Sequence, residues 1–184
     1  LRNFLKTIFF RLLSLGFDPR VLISYQNFFR FLKQRREWLR NNGFIDKNHI
    51  ILSDYNDKAG VASGHYFHQD LLVASLIYKK KPSRHLDIGS RVDGFVAHVA
   101  SFREIEVLDI RKMDPNVHEQ IKYIQFDFIK NNNFTKVDSI SCLHAIEHFG
   151  MGRYGDNIDT KGHLKGIRNL ISLLHLNGTL YISF

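Results

Sequence analysis

A short apolar run broken by glycine, followed about twenty residues later by a second run that ends in a carboxylate, constrains this chain more than any other feature. His85-Leu86-Asp87-Ile88 reads as a buried strand, entered from the basic approach Lys79-Lys80-Lys81-Pro82 and left at Gly89. Gly94 then precedes the apolar segment Phe95-Val96-Ala97-His98-Val99-Ala100, which reads as a helix. Glu106-Val107-Leu108-Asp109 is a second strand whose last residue is acidic. Strand, glycine turn, helix and a distal acid are how a Rossmann-like parallel sheet brings its backbone close to a nucleoside and hydrogen-bonds the ribose diol.

The rest of the chain agrees with such a sheet. Strands are expected at residues 85–89, 105–109, 121–127, 137–143 and 178–184, and helical period is clear over residues 160–175 (Leu164, Ile167, Ile171, Leu174). A helix over residues 65–80 is expected to turn Leu71, Leu72, Ser75, Leu76 and Ile77 inward and to exit at Pro82. Alternating elements predict an α/β fold, a parallel sheet covered by helices. Asn131-Asn132-Asn133 reads as a turn.

The glycine pattern discriminates between ligands. A dinucleotide site wants Gly-x-Gly-x-x-Gly so that a pyrophosphate can sit against a helix N-terminus. Here the register is Asp87-Ile88-Gly89-Ser90-Arg91-Val92-Asp93-Gly94, with Arg91 at the second glycine position and the acidic Asp93 where phosphate would lie. S-adenosylmethionine has no phosphate. It needs one close backbone approach, a diol acceptor and an acidic or neutral surround, which Gly89, Asp109 and the nearby acids supply.

On these residues the sequence resembles a known family. His85-Leu86-Asp87-Ile88-Gly89-Ser90, Val107-Leu108-Asp109-Ile110, Phe126-Asp127-Phe128, Ser141-Cys142-Leu143-His144-Ala145-Ile146-Glu147-His148 and Leu176-Asn177-Gly178-Thr179-Leu180 are similar, in order, to the cofactor-site motifs of class I S-adenosylmethionine-dependent methyltransferases. His65-Tyr66-Phe67-His68-Gln69-Asp70 and Gly152-Arg153-Tyr154-Gly155-Asp156 further resemble a methyltransferase-like bacterial family associated with surface-polysaccharide biosynthesis. The resemblance implies S-adenosylmethionine as cofactor. Asp87, Gly89 and Ser90 would belong to the cofactor site, with Gly89 at the methionine moiety, Asp109 at the ribose hydroxyls, Asp127 and Phe128 flanking the adenine, and Leu143 with His144 closing the site. It also implies methyl transfer to an oxygen of a glycan or glycan precursor. Arg91 and Asp93 depart from the family glycines, and the chain stops at Phe184 inside the expected fifth strand, so the sheet is expected to lack the family's last strands. A degenerate domain acting as a binding scaffold is the alternative these departures motivate.

His144-Ala145-Ile146-Glu147-His148 is the richest polar cluster. Its H-x-x-E-H order is also that of zinc peptidases, in which two histidines four apart on a helix bind one metal, so a metallohydrolase using His144, Glu147 and His148 is a further alternative. Its position at the end of an apolar strand favours a cofactor or substrate role without bound metal, and purely structural histidines are the plain alternative. For methyl transfer to a hydroxyl, a base must take up the proton, and imidazole, which titrates near pH 6.5 when unperturbed, suits that work. His148 or His144, oriented by Glu147, is the expected base. Gly150, Gly152 and Gly155 predict a mobile segment with Arg153, Tyr154 and Asp156 at its tip, either closing over an acceptor, with Tyr154 stacked on a sugar ring, or serving as a solvated connection. His65 and His68 either line the pocket or cap it.

Charge is concentrated at one end. Residues 1–40 carry nine lysines and arginines against Asp18 and Glu37, and so hold nearly all of the net charge of +8. The remainder is close to neutral, which excludes a nucleic-acid footprint across the protein. Residues 1–43 read as a basic amphipathic helical arm: a stripe of Leu1, Phe4, Leu5, Ile8, Phe9, Leu12 and Leu13, a stop at Gly16, and a second helix from Pro19 to Arg40 ended by Asn41-Asn42-Gly43. Phe28, Phe31 and Trp38 beside lysine and arginine suit either packing on the domain or another subunit, or an interfacial helix that touches a membrane surface or a protein partner. Residues 44–64 read as a linker and residues 65–184 as the Rossmann-like domain. One cysteine, Cys142, excludes an internal disulfide and suits a reducing, cytoplasmic setting, with the arm peripheral to the inner membrane surface. Its apolar neighbours mark it as a buried structural thiol.

Overall fold

The computed structural model describes residues 2–60, 62–113, 118–130 and 134–184, so the expected turn at Asn131-Asn132-Asn133 lies outside it. Contacts divide the chain into two compact units, Leu1–Val61 and Ala62–Phe184.

In the first unit, α1 (Arg2–Ser14) ends at Gly16, whose φ of +81° supplies the left-handed exit that other residues resist. The second helix is not continuous. After α2 (Arg20–Ser24) the chain tightens into one 3-10 turn at Tyr25–Asn27 before α3 (Phe28–Arg40). At the end of that turn buried Asn27 donates its side-chain amide to the Leu52 carbonyl at 3.1 Å. Asn42, at φ +60°, turns the chain out of α3, and Gly43 lies so close to the Trp38 ring that a Cβ there would come within 2.2 Å of it. Residues 44–60, expected as a linker, fold back on α3. Arg35 Nε donates to Asn48 Oδ1 at 3.2 Å, and the Arg30 guanidinium lies 4.7 Å from the Tyr55 ring centre. No described helix is long and apolar enough to cross a membrane.

The second unit is a Rossmann-like α/β layer structure. Its strands β1 (His85–Ile88), β2 (Ile105–Asp109), β3 (Ile121–Gln125), β4 (Val137–Leu143) and β5 (Leu174–Ser183) are all parallel, in the order β3-β2-β1-β4-β5. Strands buried on both faces read as near-continuous apolar runs, which is why β1, β2 and β4 were legible. On one face Val73, Ala74 and Ile77 of α4 (His65–Lys80) pack with Phe95, Val99, Ile105 and Val107, the helix after β1 being completed by α5 (Ala97–Ala100). On the other face Leu170 of α6 (Gly162–Ser172) packs with Leu86, Ile88, Leu108, Ile140 and Cys142. Burial pushes the Cys142 thiol pKa well up, so it is an inert core group.

Three expectations shift. Of the residues expected inward on α4 Ile77 is buried, but Leu71, Leu72, Ser75 and Leu76 are exposed and the shorter Val73 and Ala74 take the core, where α5 approaches. β3 ends at Gln125, two residues short of the expected 127, with the Phe126 amide making the last ladder bond to the Asp109 carbonyl at 2.8 Å. Pairing in β5 begins at Leu174 opposite Val137 and resumes at Thr179 opposite Ser139, so residues 175–178 bulge outward, with Asn177 at φ +68°.

Candidate functional site

After β1 the chain winds toward β2 and β3, and it then crosses back to β4 and β5 on the other side. The loops leaving β1 and β4 therefore diverge, and a crevice opens at their carboxyl ends. A cleft of about 1550 Å³ lies there, bordered by residues from α4, from the loops after all of β1 to β4, and from the segment 149–156. Of the residues expected at the site, Gly89, Ser90, Asp109, Asp127, Phe128, Leu143, His144, Glu147, His148, Arg153, Tyr154 and Asp156 all border it.

Asp87 does not border it. It is fully buried one layer below and holds the glycine turn in shape. Its Oδ1 accepts from the Ser90 hydroxyl at 2.7 Å and the Ser141 hydroxyl at 2.5 Å, and its Oδ2 accepts from the Ser90 amide at 3.1 Å. The chain of bonds continues to His85, whose ring nitrogens meet Ser141 Oγ at 3.1 Å and Ser139 Oγ at 2.8 Å. Since Ser141 donates to the carboxylate, it must accept from His85 Nε2–H, which leaves Nδ1 to accept from Ser139. Burial raises the Asp87 pKa to about 6 and lowers that of His85 to about 3. Above this network Gly89 sits at φ +75°, and a Cβ added to it would meet Ala145 Cβ at 3.0 Å. The absent side chain thus lets the turn pack against Ala145 of the loop after β4.

Asp109, expected at a ribose diol, has its lone pairs taken by Arg111. The Arg111 amide and Nε reach Oδ1 at 2.8 and 2.9 Å, and Nη2 reaches Oδ2 at 2.5 Å. A diol can bind Asp109 only by displacing the Arg111 side chain. Arg111, which sequence reasoning missed, also lies 4.9 Å from the Tyr154 ring centre. Of the expected adenine neighbours, Phe128 has its ring packed into the core beside Phe149. Asp127 accepts from the Ile129 and Lys130 amides and pairs with Lys130 Nζ at 3.1 Å.

The strongest sign of a ligand is a set of buried polar atoms without partners. His144 Nε2 and Glu147 Oε2, on residues that border the cleft, are buried and make no hydrogen bond, and the nearest polar group to buried Gln69 Nε2 of α4 is the adjoining Asp70 carboxylate, outside good hydrogen-bond geometry. Buried polar atoms are nearly always paired, and of the four left without partners among the described residues three belong to residues that border the cleft, the fourth being Tyr181 Oη on β5. Asp70, beside them on α4, has its pKa raised by burial, and Gly94 leaves the space its carboxylate fills, since a Cβ there would lie 3.0 Å from Oδ2. His144 itself stands at φ +50°, a left-handed conformation that costs a non-glycine residue about 1–3 kcal/mol and is typical of functional positions. The Tyr66 ring lies 4.4 Å from the His144 ring and that of His65 lies 5.0 Å from it.

The expected partnership within His144-Ala145-Ile146-Glu147-His148 resolves in favour of the first histidine. Glu147 Oε1 is 3.8 Å from His144 Nδ1, whereas His148 Nε2 lies 3.5 Å from Arg153 Nη1. The helix required by the zinc-peptidase pattern is missing. His144 follows the strand end, and Ile146–His148 form one 3-10 turn, so the two histidines do not stand one α-helical turn apart. Among the described residues no group of three or more potential metal ligands gathers.

The segment 149–156, expected to be mobile, is tied down by one carboxylate. Asp156 accepts from the amides of Gly150 at 2.8 Å, Gly152 at 3.1 Å and Tyr154 at 3.2 Å. Burial alone would raise its pKa, but these N–H groups together hold it below the usual carboxylate value. Asp156 therefore shapes the loop, while Arg153 and Tyr154 present their side chains at the rim.

Comparisons with known proteins address the fold. A family profile described as "Caenorhabditis protein of unknown function, DUF268" matches residues 95–184. No curated protein matches. Among solved structures, an amino pentose methyltransferase from Micromonospora echinaspora, involved in calicheamicin biosynthesis and bound to S-adenosylmethionine, superimposes with a TM-score of 0.51 at 13% identity, over 76% of this chain and 58% of its own. The N-methyltransferase NodS from Bradyrhizobium japonicum, in complex with S-adenosyl-L-homocysteine, matches with a TM-score of 0.49 at 14% identity, over 65% of this chain and 62% of its own. The chain thus spans less than two thirds of the length of either. The five-stranded part of the chain has the Rossmann-like fold of class I methyltransferases.

Proposed function

We propose that this protein transfers a methyl group from S-adenosylmethionine to a hydroxyl oxygen of a glycan or glycan precursor. The observation that carries the reading is the trio of unpartnered buried atoms, Gln69 Nε2, His144 Nε2 and Glu147 Oε2, beside the Gly89 turn in a class I methyltransferase fold. These atoms and the Asp70 carboxylate make an acidic pole that suits the ammonium and sulfonium charges of the methionine end, with Gln69 Nε2–H available to its carboxylate. Arg91 and Asp93, which stand where the family has glycines, pair with each other at 2.6 Å and leave that task to other residues. Asp109 serves the ribose hydroxyls once Arg111 has moved aside.

S-adenosylmethionine would supply an activated methyl carbon, open to in-line attack by the acceptor oxygen, with the C–O bond forming as the C–S bond breaks and its electron pair leaving on sulfur. The protein contributes alignment, exclusion of water and a place for the proton. His144 fits the last role best. Its Nδ1 faces Glu147, its Nε2 is free, and its ring is held among Tyr66 and His65. Tyr154 at the rim is the platform for a sugar ring. The glycan itself rests on the motif resemblance.

Calorimetric titration with S-adenosylhomocysteine tests the reading. Binding is expected, with Asp109→Asn weaker by about 10- to 100-fold, the worth of a hydrogen bond to a charged group. In a methyl-transfer assay His144→Ala is expected to lose turnover and His148→Ala to retain most of it. Absence of S-adenosylhomocysteine binding at millimolar concentration would sink the proposal.

A further inference from the structure

Two guanidinium groups share the Tyr154 ring, and their edges differ. Arg111 Cζ lies 4.9 Å and Arg153 Cζ 5.3 Å from the ring centre. The planar donor edge of Arg111 is filled by the Asp109 carboxylate. Arg153 makes no ion pair among the described residues, and its one hydrogen-bond partner is His148 Nε2 at 3.5 Å. An arginine that lies over an aromatic ring has its fork of donors oriented and left open at the edge, in the geometry that binds carboxylate or phosphate through two parallel bonds. Arg153 belongs to the loop that Asp156 holds in shape, so its position does not depend on a salt bridge of its own. The cleft therefore has an acidic pole at Asp70 and Glu147 and, at the rim, an unneutralised cation.

We infer that the acceptor carries an oxyanion, a phosphate or a carboxylate, and that Arg153, held beside the Tyr154 ring, binds it. The inference rests on the proposed methyl transfer only for the word acceptor; the anion site stands on its own geometry. It adds a selection rule, since neutral sugars leave the Arg153 fork unfilled and anionic ones complete it.

The experiment is a calorimetric titration of the full chain with glucose 1-phosphate, glucuronate and neutral methyl glucoside, each with and without S-adenosylhomocysteine. Wild type, Arg153→Gln and Arg153→Lys are compared. An anionic probe is expected to bind about tenfold or more tightly than methyl glucoside, as charge-assisted bonds to arginine predict. Arg153→Gln loses that preference, and Arg153→Lys, with the charge but not the fork, regains only part of it. Preference for glucose 1-phosphate identifies phosphate as the recognised group, and preference for glucuronate identifies carboxylate. Equal binding of methyl glucoside, unchanged anion binding in Arg153→Gln, or no anion binding at millimolar concentration overturns the inference. S-adenosylhomocysteine binding without anion preference removes this inference and leaves the methyltransferase reading; anion preference without S-adenosylhomocysteine binding does the reverse.

Discussion

Replacing His85 by glutamine is expected to change how stability responds to acid. His85 and Asp87 are both buried, and they are linked through the Ser141 hydroxyl. The folded-state pKa of His85 is depressed to about 3, so the unfolded chain takes up a proton below about pH 6.5 that the folded one refuses. Stability from this group is full above that pH and is lost on acidification, about 3 kcal/mol between about pH 6.5 and 4.5 at about 1.4 kcal/mol per unit. Asp87 works in the opposite direction. Its folded-state pKa is raised to about 6, so the folded state binds the proton first, and stability rises by about 2 kcal/mol between about pH 6 and 4.5. In the wild type the two nearly cancel, leaving a loss of about 1 kcal/mol from the pair. In His85→Gln only the Asp87 contribution remains. Whatever stability the substitution costs at neutral pH, the variant should therefore gain about 3 kcal/mol on the wild type over that window. Urea unfolding followed by far-UV circular dichroism at several pH values measures the difference curve. A difference that changes by less than about 1 kcal/mol would refute the opposed-titration argument.

Two further substitutions probe the turn and the loop. Gly89→Ala places a side chain at φ +75° against Ala145, so a stability loss of about 1–2 kcal/mol or more and weaker S-adenosylhomocysteine binding are expected in urea unfolding and calorimetry. Asp156→Ala removes the shared acceptor of three amides, so residues 150–156 should become sensitive to limited proteolysis and the acceptor KM should rise, with S-adenosylhomocysteine affinity unchanged. Unaltered proteolysis in that variant would show that packing, not the carboxylate, holds the loop.

The sheet was legible because each central strand is buried on both faces and so writes its core into an unbroken apolar run. The same logic failed on α4, where Leu71, Leu72, Val73, Ala74, Leu76 and Ile77 offer more than one apolar stripe and the close approach of α5 selects the smaller side chains. Residues at strand ends could be named from motif order, and all but Asp87 border the cleft. What the sequence could not reveal was pairing in space. Arg111 capturing Asp109, Glu147 facing His144 rather than His148, and Gln69 arriving from α4 all depend on distances between segments far apart in the chain or turned by the backbone. The one available hint was a cation two residues after the strand-terminal acid.

The Asp156 staple has a consequence for how the rim can diversify. A loop whose conformation is fixed by backbone amides on a single carboxylate places few demands on its own side chains. The Met151, Arg153 and Tyr154 side chains take no part in that staple, so they can change without first rebuilding the frame. Side-chain identity at the rim and the shape of the loop are thereby inherited separately: drift at these positions changes the chemistry offered at the cleft mouth, while a change at Asp156 removes the frame that presents it.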